Sequence, residues 1–147
     1  MAISYTHEQF KGDIIEMARQ MHRDNFFPDV VAGISRGGLV PAVYFGQWFQ
    51  VPVVEIRCSL RDQKEDVNLY HLRKNVGKKI LVVDDIIDGG ETMRRVNEHD
   101  FLGRQKFASM WLNTAQDFSP NYYAREINRL EDESWINFPW ENFWISA

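Results

Sequence analysis

Only one cysteine, Cys58, stands in the 147 residues, so no intrachain disulfide can form and a reducing, cytoplasmic compartment is the expected home. Cys58 itself reads as a small hydrophobe near a strand end rather than as a catalytic thiol. Long apolar runs are also missing. None approaches the ~20 residues that span a bilayer, so no membrane segment is expected, and Met1 to Phe10 is too polar for a signal peptide. Basic charge is scarce as well. With 17 Lys and Arg against 21 Asp and Glu, the net charge of −4 argues against a nucleic-acid coat, which would need a basic face. The histidines, His7, His22, His71 and His99, have no metal-ligand spacing. No linker-like composition, low-complexity tract or internal repeat divides the chain, so residues 1–147 are expected to form one domain.

What is present is enough for one sizeable core, since 44% of the residues are hydrophobic. Thr6, with Gln9 at the capping-box position, predicts a first helix. Its apolar face is Phe10, Ile14, Met17, Ala18 and Met21, and Pro28-Asp29 ends it. Val30 to Ile34 is nearly all apolar, as a strand buried on both faces requires. Leu39 to Phe49 reads as a helix and Pro52 to Ile56 as a strand. Residues 59–75 are polar without periodicity, Arg61 to Asp66 most of all, and are expected to form a mobile excursion. Lys79 to Val83 gives a central strand, a helix is expected from about Gly90 to His99, and Phe107 to Leu112 is a further strand. Alternating strands and helices imply an α/β fold with a mostly parallel central sheet flanked by helices. Ligands bind such sheets at the carboxyl ends of strands, where both glycine-rich turns of this chain fall.

The first of these turns runs from Asp84 to Thr92. Asp84 and Asp85 after a buried strand are costly unless they meet a cation or hydroxyl groups, and Asp88 follows one turn later. Gly89 and Gly90 let backbone N–H groups converge without Cβ obstruction. Thr92 adds a hydroxyl, and the next helix turns its positive end to the same point. Acids on one side and amide donors on the other suit a ligand with ribose hydroxyls, a phosphate and Mg2+. A solvated polar turn, or a receiver domain with paired acids, is the competing reading. Receivers carry their pair after the first strand and lack the glycine loop. The second turn, Ser35-Arg36-Gly37-Gly38, is by itself equally compatible with an ordinary turn or an anion site.

Asp84-Asp85-Ile86-Ile87-Asp88-Gly89-Gly90-Glu91-Thr92, nine positions matched by type, resembles the phosphoribosyl-pyrophosphate motif of type I phosphoribosyltransferases. One departure is Gly89, where members commonly carry Thr or Ser as a donor to the 5′-phosphate. Beside that motif, Ser35 to Gly38 resembles the family's pyrophosphate loop, whose peptide can be cis. Trp135-Ile136 followed by Phe138-Pro139-Trp140-Glu141 is similar to the C-terminal hood of xanthine-guanine and related 6-oxopurine members, and Pro120 to Ala124 resembles the same branch. There the residue matching Trp135 stacks on the base and the backbone at Ile136 reads an exocyclic group. The hood is expected over about 114–147. A second departure is Asn113, which stands where members place a lysine against the purine 6-oxo group; an amide lacks the charge and can accept as well as donate.

The resemblance implies displacement of pyrophosphate from C1′ of phosphoribosyl pyrophosphate by a purine nitrogen, with Mg2+ as cofactor. Asp84 and Asp85 would hold ribose hydroxyls or the metal, Arg36 would neutralise the leaving group, and Asp88 would act as base. The stretch around 61–66 is expected to close over the site. A transferase for another base and a non-catalytic sensor of phosphoribosyl pyrophosphate are the alternatives. Analogy with the family implies a homo-oligomer, dimer or tetramer, in which Trp48, Trp140 and Trp144 either face a partner subunit or, equally, belong to the core.

Overall fold

In the computed structural model, which describes residues 1–61, 64–99 and 104–146, the reciprocal box at Thr6 starts α1 (His7–Arg23). Thr6 Oγ1 accepts from the Gln9 amide at 3.1 Å and Gln9 Oε1 accepts from the Thr6 amide at 2.9 Å. The expected apolar face of α1 is its buried face. Strand β1 (Ala2–Ser4) precedes it, and β2 (Val30–Ile34) and α2 (Leu39–Phe49) follow. Pro41 is tolerated in α2 because it lies in the first turn, where its missing N–H had no helical acceptor.

Beyond α2 come β3 (Val53–Arg61), β4 (Lys64–Asn68), α3 (Tyr70–Arg73), β5 (Ile80–Ile87), α4 (Glu91–Asn97), β6 (Gln105–Asn113), β7 (Tyr122–Ile127) and β8 (Trp135–Asn137). Six strands form one sheet in the order β4-β3-β2-β5-β6-β7, parallel except for the β3–β4 pair. The mostly parallel α/β architecture read from the sequence is therefore the one observed. Strand alternation splits the core. Val31, Leu81 and Val83 face α1 and α2, with Phe10, Met17 and Phe45; Val30, Ala32, Ile80 and Val82 face the other side, with Leu72, Met93 and Val96 of α3 and α4.

Two expectations are corrected, and one choice the sequence leaves open is decided. The polar stretch is not an irregular excursion: β3 runs on to Arg61 and pairs antiparallel with β4, Cys58 opposite Val67. A hairpin arm satisfies its backbone across its own two strands and needs no apolar periodicity, so the pattern carried no strand signal. Asp62 and Gln63 lie outside the described residues. Second, β5 does not stop at Val83 but continues through both acids to Ile87, leaving only Asp88 to Gly90 as the turn before α4. Third, of the two placements open to Trp140 the core one is observed: half-buried, its ring packs on Phe10 and stacks on Phe138, at 5.0 and 5.1 Å between centroids. The tail returns to the N-terminus, where β8 pairs parallel with β1 and Ile136 is opposite Ile3. No helix among the described residues is long and apolar enough to cross a membrane.

Candidate active site

The carboxyl ends of β2, β5 and β6 bring the predicted segments into one rim. After β2, the Ser35–Arg36 peptide is cis. Ser35 is tied to β3 through its amide and hydroxyl, both donating to the Ile56 carbonyl at 2.9 and 3.3 Å. Gly38 caps α2 and donates to the Ile34 carbonyl at 2.8 Å. Gly37 lies directly against Asp85: a Cβ there would collide with the carboxylate. The pyrophosphate-loop candidate and the acidic strand end are thus in contact. The amides of Arg36, Gly37, Gly89 and Gly90 have no acceptor among the described residues, so they are available to an anion.

Each acid of the pair accepts a local amide. Asp84 Oδ1 takes the Asp85 N–H and Asp85 Oδ1 takes the Ile86 N–H, both at 2.8 Å. Burial pushes the Asp85 carboxyl above its ordinary value, and its hydrogen bonds, that with Asp84 first, oppose the rise. Glu141, from the hood, is likewise raised by burial and then by the charge on Asp85, while a hydrogen bond from the Trp135 side chain works the other way. Glu141 therefore lies within the field of Asp85. In the sequence Glu141 stands only within a hood pattern, and the chain return that brings it there has no local signal.

Asp88 points elsewhere. Its Oδ1 accepts from Arg129 Nε at 3.2 Å, and its carbonyl accepts from Asn113 Nδ2 at 2.9 Å. Asn113, buried at the end of β6, also accepts the amides of Ala115 and Arg129 through Oδ1, at 3.0 and 3.1 Å. Most of its capacity goes to bracing neighbouring backbone. Gly90 has φ +81°, which glycine alone adopts easily, and a Cβ would meet the Gln116 amide oxygen and stand 3.2 Å from Phe118 Cβ. Gly89 faces open space. Thr92 presents its hydroxyl 3.5 Å from the Cys58 sulfur, and Glu91 opens α4. Helix α4 has seven residues, so free amides rather than a long helix dipole characterise this end.

At the hood, Trp135 is 64% exposed, leaving ring surface for a planar ligand, whereas the Ile136 side chain is buried and its backbone pairs opposite Ile3. The Arg129 guanidinium joins the two halves, donating through Nη1 to the Ser134 carbonyl just before Trp135 while Nε holds Asp88. Contacts thus join Gly37 to Asp85 on one side, and Ser134, through Arg129, to Asp88 and Asn113 on the other.

Three acids or histidines do not converge as a preformed metal site among the described residues. The donor set nevertheless fits Mg2+. Asp84 and Asp85 offer hard oxygens only, and burial raises the Asp85 carboxyl, a condition a divalent cation relieves. Mg2+ binds through one or two carboxylates plus substrate oxygens, so a complete protein cage is not required.

The family model for the phosphoribosyl transferase domain matches residues 4–142. The xanthine-guanine phosphoribosyltransferase of Idiomarina loihiensis is 30% identical over 133 residues, covering 86% of this chain and 78% of its own length. That of Nitratidesulfovibrio vulgaris is 28% identical over 141 residues, covering 93% and 83%. Among solved structures, a purine phosphoribosyltransferase from Pyrococcus horikoshii is similar with a TM-score of 0.78 at 27% identity, covering 97% of this chain and 95% of its own.

Proposed function

Because the chain belongs to the phosphoribosyl transferase family, we propose that it transfers the phosphoribosyl group of phosphoribosyl pyrophosphate to a 6-oxopurine such as xanthine, guanine or hypoxanthine, in purine salvage. The observation that carries this reading is that the anion loop touches the acidic strand at Gly37 and Asp85, while Arg129 ties Asp88 to the segment just before the exposed ring of Trp135. The names of the relatives support the purine as the base. Cytoplasmic location and homo-oligomeric assembly belong to the same proposal, the latter with exposed Phe143, Trp144 and Ile145 as available apolar surface.

In this mechanism the purine nitrogen bonds to C1′ as the C1′–O bond to pyrophosphate breaks, and the proton on the purine passes to Asp88. Arg36 and the free amides at Arg36 and Gly37 receive the charge growing on pyrophosphate. The amides at Gly89 and Gly90, with Glu91 and Thr92 at the start of α4, hold the 5′-phosphate. Asp84 and Asp85 orient the ribose hydroxyls, and Trp135 stacks on the base while the Ile136 backbone reads its edge. Asp84 and Asp85 would hold Mg2+, which supplies Lewis-acid stabilisation of the leaving group when bound.

The test is pyrophosphate release with Mg2+, phosphoribosyl pyrophosphate and a panel of bases. Base-dependent release with 6-oxopurines is expected. Release with other bases alone, or with none, would favour the transferase for a different base or the sensor.

Gly89 supplies a second test. Threonine there enters open space at a position where φ is not positive, and it restores a hydroxyl beside the 5′-phosphate. A hydrogen bond to a charged group contributes about 1.5–3 kcal/mol before the cost of ordering, and threonine loses little rotamer freedom. Gly89→Thr is therefore expected to lower KM for phosphoribosyl pyrophosphate by about five- to tenfold. A raised KM in steady-state kinetics would mean the phosphate does not lie there.

A further inference from the structure

We propose that Arg129 is the cation that reads the base, resting on the phosphoribosyl-transfer reading above. Asn113 stands at the end of β6 where a charged reader of the base would be placed, but its side chain is spent on structure: Oδ1 accepts two amides and Nδ2 donates to the Asp88 carbonyl. One of those amides is that of Arg129 itself, at 3.1 Å. Asn113 thus fixes the backbone of the residue that carries the charge.

The guanidinium is held from three directions. Nε donates to Asp88 Oδ1 at 3.2 Å, and Nη1 donates to the carbonyls of Ser134 and Asp132, the latter at 3.5 Å. Nη2 donates to no described residue. The side chain is only 21% exposed, unlike that of an arginine merely decorating the surface. It lies between the proposed proton acceptor, Asp88, and the carbonyl that immediately precedes the proposed stacking residue, Trp135. A base seated on Trp135 with its nitrogen at Asp88 has its edge beside this group.

Chemistry then sets the preference. A guanidinium offers donors only and keeps its charge at any physiological pH. Facing a purine edge, it pairs with an exocyclic oxygen and meets an exocyclic amino group donor to donor. Arg129 is accordingly a specificity-determining residue that selects 6-oxopurines over 6-aminopurines, a role that depends on this chain's own 128–134 loop.

The experiment compares kcat/KM for hypoxanthine and adenine in the natural protein and in Arg129→Ala and Arg129→Lys, with phosphoribosyl pyrophosphate binding measured separately by calorimetry in the presence of Mg2+. Arg129→Ala is expected to lower kcat/KM for hypoxanthine at least about tenfold more than for adenine, the fall shared by both reporting loss of the Nε contact that holds Asp88, so that their ratio is compressed at least tenfold. Arg129→Lys, which keeps charge and donors, restores part of the ratio. Binding of phosphoribosyl pyrophosphate stays unchanged. An equal fall for both bases, or an unchanged ratio in a folded Arg129→Ala protein, overturns the proposal and leaves Arg129 a loop brace. If the alanine variant does not fold, failure of folded Arg129→Gln to compress the ratio overturns it equally. Failure of the transferase reading looks different: the natural protein itself releases no pyrophosphate with any base.

Discussion

Replacing Asp88 by asparagine is expected to lower kcat by about two to three orders of magnitude, the usual contribution of a positioned acid–base group. The expectation rests on where the carboxylate is. It stands on the three-residue turn after β5, held by Arg129 at Oδ1 and backed through its carbonyl by Asn113. Asparagine preserves the shape and the Oδ1 acceptor, so the bond from Arg129 Nε can persist, but the amide cannot take up a purine proton. The fold has little at stake. The Arg129–Asp88 pair is half exposed on the acid's side, and pairs of that kind contribute about 0–1 kcal/mol. Binding of phosphoribosyl pyrophosphate, which falls to Arg36, the free amides and the acidic pair, is expected to change less than about twofold, a small effect beside the loss of rate. Steady-state kinetics together with calorimetric binding of phosphoribosyl pyrophosphate separates the two. Unchanged kcat removes Asp88 from the chemistry; lost binding with unchanged rate at saturation reassigns it to the sugar.

The second large effect is expected at Gly37, and its neighbour serves as the control. A Cβ at Gly37 meets the Asp85 carboxylate, 2.8 Å from Oδ1 and nearer still to Oδ2. The carboxylate is the movable end of a side chain, so Gly37→Ala relieves the clash by displacing Asp85 rather than by disturbing the sheet. Misplacement of a positioning group by about 1 Å costs on the order of 100-fold. A fall of that size in kcat/KM for phosphoribosyl pyrophosphate is expected, with Tm nearly unchanged. Gly38→Ala behaves differently because its Cβ meets backbone, the Val83 carbonyl and, at 2.7 Å, the Ile34 carbonyl. Neither can swing away. Overpacking of this kind costs about 1–3 kcal/mol, which lowers Tm by roughly 4–12 °C in a chain of this size. Equal thermal losses in the two variants would show that Gly37 is a packing residue and that Asp85 is not held against the loop.

Much of this site is legible in the sequence because its parts are local. The capping box at Thr6, the apolar run of β2 and the acid–glycine run to Thr92 each put their physical requirement into adjacent residues. What the sequence conceals is set by return of the chain. Charged residues read as loop, so Asp84 and Asp85 appear to follow β5 when they lie within its last half. The β3–β4 arm pairs with itself and shows no periodic signature. Strands β1 and β8, three residues each, exist because they pair with one another across the whole chain length. Glu141 and Arg129 join the site by the same route. Nothing in their neighbours announces that one meets the field of Asp85 or that the other spans Asp88 and Ser134. Asn113 is the converse case: its position suggested a reader of the base, and only the hydrogen bonds reveal that its amide supports backbone.

The most direct measurement is a crystal structure of the chain with Mg2+ and phosphoribosyl pyrophosphate. The account predicts the 5′-phosphate on the amides of Gly89 to Thr92, the ribose hydroxyls at Asp84 and Asp85, and the pyrophosphate against Arg36 and Gly37. Phosphoribosyl pyrophosphate bound elsewhere, or an empty Asp84–Thr92 rim at saturating ligand, would contradict it.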